Sequence, residues 1–311
     1  VAIFRQSKDD EMSIAPRLAG HQSEGITMVS RRDIATAIGA AAVGIAAAGI
    51  VSPAAAQAPA AGGETAFERI RRTKKLRIGA VAGAAPYYNK DIVTGQWGGF
   101  YIDLSKALAE ELEVELEILE TTWGNSVLDL QANKIDIFFG LNPTPKRALV
   151  VDFSVPVFNN AFTMITKKGL GKKTWDDFNN PALKITVDAG SSQDQVATRL
   201  CSKAQISRFK SVDDAAAAIM TGRADAQCIV MMLSLTMLKK NPALGELVVP
   251  TPVFATTSNA GFRREADQTW PKYVNTWLEF NRGLGLIRSV IIKNMESVGV
   301  TEADMPAGVQ L

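Results

Sequence analysis

The sequence predicts an α/β fold of two similar units, each built on a largely parallel sheet. Three observations carry this. Strand-like and helix-like segments alternate from Leu76 onward, the same alternation resumes after Lys168, and two extended segments, Asn160 to Thr166 and Phe254 to Phe262, are placed to act as paired crossovers between the units. A chain of 311 residues with 47% apolar residues has room for about two domains and a substantial core.

The elements follow in order. LRIGA, from Leu76, reads as a strand, Tyr101 to Leu112 as an amphipathic helix, Val114 to Leu119 as a strand and Asn125 to Ala132 as a helix. Ile135, Ile137, Phe138 and Phe139 read as a short buried strand. In the second unit, Lys184 to Val187 is a strand, Ser192 to Leu200 a helix, Gln205 to Phe209 a strand, Val212 to Thr221 a helix and Ala224 to Val230 a strand. The tail is helical over Asp267 to Arg282, with Pro271 tolerated in the first turn, and again over Ile287 to Met295. Its apolar residues Trp270, Val274, Trp277, Leu278 and Phe280 are expected to pack on a sheet.

The N-terminal part reads as an address. Residues 1–27 lack apolar periodicity, whereas Met28-Val29-Ser30-Arg31-Arg32 precedes a weakly apolar run from Ile34 to Val51 and a small-residue cleavage site at Ala54-Ala55-Ala56. This is an export signal over 28–56, with Gln57 as first mature residue, and it resembles the twin-arginine type. Translation is expected to begin at Met28, residues 57–75 to form a linker, and the mature protein to be periplasmic. A retained anchor is the alternative, although alanines and glycines insert poorly into a bilayer.

Composition excludes several functions. The formal charge is only +2, with no basic cluster interleaved with aromatics, so nucleic acid is not an expected partner. The single histidine, His21, lies upstream of the cleavage site. A mature chain without imidazole has no Ser-His triad, no Cys-His pair and not the commonest metal ligand, leaving carboxylates, lysine or tyrosine for acid-base work. No cofactor or metal is expected. Cys201 ends a helix and Cys228 lies inside a strand, so two packed thiols are expected rather than a disulfide.

The stretch KIDIFFGLNPTPKRALVVDFSVP, Lys134 to Pro156, concentrates the chemistry. A buried strand is broken by Asn142-Pro143 and runs into a helix whose N-cap is Thr144 and whose first residue is Pro145. Free N–H groups there, with the forked cation of Arg147, make an anion site suited to a carboxylate. An ordinary βα turn with a surface arginine is the alternative.

Six blocks in order now carry a resemblance: LRIGA with APYY, GGFYIDLSKALAEEL, TTWGNSVLDLQANKIDI, GLNPTPKRALVVDFSVP, DAGSSQD and GRADAQCIV. Together they resemble the extracellular solute-binding proteins of family 3, which deliver amino acids and related solutes to ABC importers. The resemblance implies a two-lobed periplasmic-binding-protein type II fold, with lobe 1 at 76–164 and 259–311 and lobe 2 at 165–258. It further implies a non-catalytic monomer working with a membrane permease and ATPase, and a ligand held between lobes. On the matching positions, Arg147 grips the ligand carboxylate, Asn142 stands where threonine is usual, and the Gly140 carbonyl faces the ligand. Ser191 and Ser192 donate from lobe 2, and Trp123 packs on the ligand side chain. Tyr87 and Tyr88 lie at the cleft mouth, but the usual stacking aromatic is replaced by Ala84, which implies a wider cleft there.

The chain leaves the family pattern at Val230, where amino-acid binders usually carry an aspartate for the ligand ammonium. Either the ligand is a carboxylate without an α-ammonium, or another acid compensates, the best candidate being Asp188 at the end of KITVD. The family pattern favours an amino acid in a shifted pose. A cleft enzyme of the same fold, a dehydratase with Asp188 or Asp194 as general acid, is the alternative function.

Overall fold

The computed structural model describes residues 63–305. The export signal, His21 and the cleavage site lie outside the described residues. The expected linker needs correction in its second half, because Ala66–Thr73 forms helix α1. Thr65 Oγ1 accepts from Glu68 N (3.2 Å) while the Glu68 carboxylate accepts from Thr65 N (2.9 Å), a reciprocal cap at the helix start. Ala66 and Ile70 are buried, and Arg69 forms an ion pair with the fully buried carboxylate of Asp136.

Strand β1 (Lys75–Val81) is followed by a short hairpin, β2 (Asn89–Lys90) and β3 (Trp97–Gly98), then α2 (Phe100–Glu111) and β4 (Glu115–Thr121). β4 lies parallel to β1, with Leu76 opposite Leu116 and Ile78 opposite Ile118. Helix α3 (Ser126–Gln131) leads to β5 (Phe138–Leu141), which begins later than Ile135. The reason is Asp136. Its carboxylate also accepts from Arg77 N (2.8 Å) and Arg77 Nη2 (2.7 Å), while Ile137 bridges to Ile78, so this stretch is fastened to β1 before the strand proper starts.

Next come α4 (Pro145–Ala148), β6 (Val151–Phe153), β7 (Phe158–Thr166) and α5 (Trp175–Phe178). The second unit runs β8 (Lys184–Asp188), α6 (Ser192–Leu200), β9 (Gln205–Phe209), α7 (Val212–Met220), β10 (Ala226–Val230), α8 (Met231–Lys240) and β11 (Glu246–Val248). β8 is parallel to both β9 and β10. β12 (Ala255–Arg263), α9 (Thr269–Gly283) and α10 (Leu286–Ser297) complete the chain.

The extended segments β7 and β12 pair with each other antiparallel, from Ala161 opposite Ala255 to Phe158 opposite Ser258. Each then continues into a different neighbourhood. β12 joins β5 and β6, and β7 joins β10 and β11, so one sheet of order β5-β12-β7-β10-β8-β9 spans the molecule. On α9, Trp270, Val274, Trp277 and Leu278 are buried as expected, but Phe280 is 65% exposed because it lies about a quarter-turn or more around the helix from that stripe. Cys201 and Cys228 are both buried and unbonded, and burial pushes the Cys201 thiol up to about 12.

Candidate functional site

The site grows from the end of β5. Gly140 holds a left-handed backbone (φ +84°), and a Cβ there would stand 2.8 Å from the Tyr101 ring and 3.1 Å from the Trp123 ring. Only glycine lets the strand pass beneath both aromatics. Asn142 and Pro143 end the strand, and Thr144 Oγ1 accepts from Arg147 N (3.2 Å) to start α4 with Pro145 at its first position. One helical turn later the Arg147 side chain is buried. Its Nη1 donates to Asn142 O (2.9 Å) and its Nη2 to Gly190 O (3.3 Å), and no carboxylate lies within 4 Å among the described residues.

The facing side is the start of α6. Ser191 caps it by accepting from Asp194 N (3.1 Å). The backbone N–H groups of Ser192 and Gln193 have no partner among the described residues, as befits a helix N-terminus aimed at an acceptor. The Ser192 hydroxyl lies 2.8 Å from both Asn142 Oδ1 and Gln193 Oε1, linking the two sides. Gly124 and Gly190 meet backbone to backbone: a Cβ on Gly124 would stand 2.6 Å from Ala189 O.

Between these sides lies a small cavity lined by residues of both. Of the nine residues singled out from sequence, seven line it: Tyr87, Trp123, Gly140, Asn142, Arg147, Ser191 and Ser192. Thr144 stays in its capping role. Asp188 is absent from the lining: its side chain is buried close enough to Arg147 to feel its charge, and both carboxylate oxygens lack hydrogen-bond partners. Burial raises its pKa to about 6, against the pull of the nearby polar groups and of the Arg147 cation. Arg147 is lowered by burial to about 10, which Asp188 partly offsets, so it remains a cation at neutral pH. Asp194 is held by Arg208 Nε (2.9 Å) and Gly190 N (3.1 Å) and also stands outside the lining.

The remaining lining residues are Asn160, Gln193, Val230, Leu233 and Ser258. Asn160 Nδ2 donates to the Tyr87 hydroxyl (2.5 Å), leaving Oδ1 unmatched, and Trp123 Nε1 is likewise a buried donor without a partner. Tyr101 hydroxyl and Ser258 Oγ are 2.5 Å apart. Tyr88 is buried with its hydroxyl on Phe139 O (2.8 Å), away from the cavity. Ala84 is buried too, so its small size does not widen the lining. Among the described residues no cluster of three or more metal-ligating side chains occurs.

Residues 76–280 match the bacterial extracellular solute-binding proteins, family 3. A cyclohexadienyl dehydratase of Pseudomonas aeruginosa is 24% identical over 229 residues, covering 72% of this chain and 84% of that relative. The arginine-binding extracellular protein ArtP of Bacillus subtilis is 27% identical over 206 residues, covering 63% and 77%. The crystal structure of the ancestral amino acid-binding protein AncCDT-1, a precursor of cyclohexadienyl dehydratase, superposes with a TM-score of 0.68 at 31% identity, covering 74% of this chain and 99% of that one. The architecture is therefore the two-lobed type II periplasmic binding fold.

Proposed function

The chain belongs to the bacterial extracellular solute-binding proteins, family 3, and we propose that it captures a small carboxylate-bearing solute in its cleft and presents it to an ABC importer. The observation that carries this is Arg147. This buried guanidinium is hydrogen-bonded only to carbonyls and is only partly offset by Asp188, with no carboxylate within 4 Å among the described residues; a solute carboxylate supplies a direct partner, helped by the free N–H groups of Ser192 and Gln193. Because Arg147 and the α6 terminus belong to opposite sides, a solute that binds both favours their approach, which gives the transporter a state to recognise. The lobes on this reading are residues 76–164 with 259–311, and 165–258. The partners are a permease and ATPase, the protein acts as a monomer, and the twin-arginine-like signal sends it to the periplasm.

Mass spectrometry of co-purifying small molecules identifies a solute, and titration against wild type and Arg147→Ala then tests the site. Loss of the buried charge-assisted pair costs about 2–5 kcal/mol of binding, while the fold is retained. Wild-type affinity in Arg147→Ala overturns the assignment.

One observation favours an enzyme as second reading. It is the likeness to the Pseudomonas aeruginosa cyclohexadienyl dehydratase; the described lining itself holds no carboxyl group that could act as general acid. Incubation with candidate carboxylates, followed by mass spectrometry, separates turnover from reversible binding.

A further inference from the structure

We infer, on the reading of this cavity as a carboxylate-capturing cleft, that its solute carries no α-ammonium group: it is a 2-oxo, 2-hydroxy or unsubstituted carboxylic acid with an apolar or aromatic side. Arg147 is the only charged residue in the lining. Where β10 ends and α8 begins, the lining is Val230, with Leu233 one turn further on, and α8 starts without any side-chain cap. Such a wall offers an ammonium neither a counter-charge nor hydrogen-bond acceptors.

The acids nearby do not fill the gap. Asp188 lies outside the lining with both carboxylate oxygens buried, and Asp194 is engaged by Arg208 and the Gly190 amide. Asp213 packs against Gly83, where a Cβ would meet its Oδ2 at 2.6 Å, and it does not reach the lining either.

The unmatched polar groups point the same way. Among the described lining residues, the N–H groups of Ser192 and Gln193 and Trp123 Nε1 are donors without a partner, against Asn160 Oδ1 as the one buried side-chain acceptor without one. An ammonium brings three more donors to a lining whose unmatched groups are mostly donors, beside a fixed cation. A carboxylate with an adjacent oxo or hydroxyl oxygen brings acceptors to each of them.

The test uses matched pairs in calorimetric titration of the purified protein at pH 7.5: phenylpyruvate with phenylalanine, 4-methyl-2-oxopentanoate with leucine, 2-oxoglutarate with glutamate, and lactate with alanine. At least one oxo or hydroxy acid is expected to bind at least thirtyfold more tightly than its amino acid. In Val230→Asp that ratio is expected to fall at least tenfold, since a carboxylate at the end of β10 supplies the missing counter-charge. A thermal melt checks that Val230→Asp is folded, and Leu233→Glu gives a second placement of the charge. An amino acid binding as tightly as its partner overturns this inference, and if Arg147→Ala then abolishes that binding, the carboxylate-capturing reading stands without it. Binding of neither class overturns both.

Discussion

Replacing Gly124 with alanine tests whether the approach of the two sides governs affinity. The added Cβ would stand 2.6 Å from Ala189 O, 3.6 Å from its carbonyl carbon and 3.8 Å from Gly190 Cα. Backbone atoms cannot swing aside as a long side chain does, so the sides must part by roughly 0.4–0.8 Å to restore ordinary contact. Overpacking of this kind costs about 1–3 kcal/mol. Since the contact exists only when the sides meet, the cost falls on the ligand-bound arrangement, and affinity should drop by about 5- to 150-fold. Gly124 does not hold a left-handed backbone, so alanine adds no conformational strain of its own, and the unliganded protein should melt no lower than wild type. Calorimetric titration with the co-purifying solute measures the first quantity, and a thermal melt the second. An unchanged Kd would refute the closure argument, as would an equal loss of stability with and without solute, which would mean that the residue is packed against Ala189 at all times.

Further perturbations probe the rest of the molecule. Asp188 has a folded pKa above its unfolded value, so the stability it lends is full below about pH 4 and lost as pH rises through about 6, a change of about 3 kcal/mol. Asp188→Asn should therefore gain in Tm over wild type at pH 8 relative to pH 4, and a difference independent of pH would refute this. Asp136→Ala leaves the guanidinium groups of Arg69 and Arg77 without their shared carboxylate and should cost about 3–5 kcal/mol in a denaturant melt. Changing Arg31 and Arg32 together to lysine should hold the precursor in the cytoplasm, assayed by fractionation; undiminished periplasmic protein would remove the twin-arginine route.

Much of the cavity lining is legible in the sequence because its signals are local. Thr144, Pro145 and Arg147 form a cap, a helix start and a forked cation within four residues, and Ser191 and Ser192 open a helix behind a glycine. Asn160 and Ser258 were missed because nothing nearby in sequence marks them; they reach the cavity only through the pairing of β7 with β12. Leu233 and Gln193 look like ordinary helix residues until the cavity wall is assembled. Asp188 was misplaced for a different reason: a strand end fixes where a residue stands but not which side of the wall receives its carboxylate. Helix α1 was hidden by its charge, since its apolar stripe is short and the partner that fixes Arg69 is Asp136, far along the chain.

The docking of α1 has a mechanical consequence. Ala66 N donates to the Glu265 carboxylate (3.1 Å), Phe67 stacks on Trp270 at 6.2 Å, and Arg69 is bolted to Asp136. Whatever precedes residue 63 thus enters through the same body that carries α9, and the stretch from β8 to β11 has no chain end of its own. Its covalent links run through β7 and β12, and Lys239 of α8 adds an ion pair to Asp304 (3.0 Å). A reporter fused on the N-terminal side would therefore sit with α9, whereas, on the closure proposed above, one inserted in an exposed turn between β8 and β11 would register the movement.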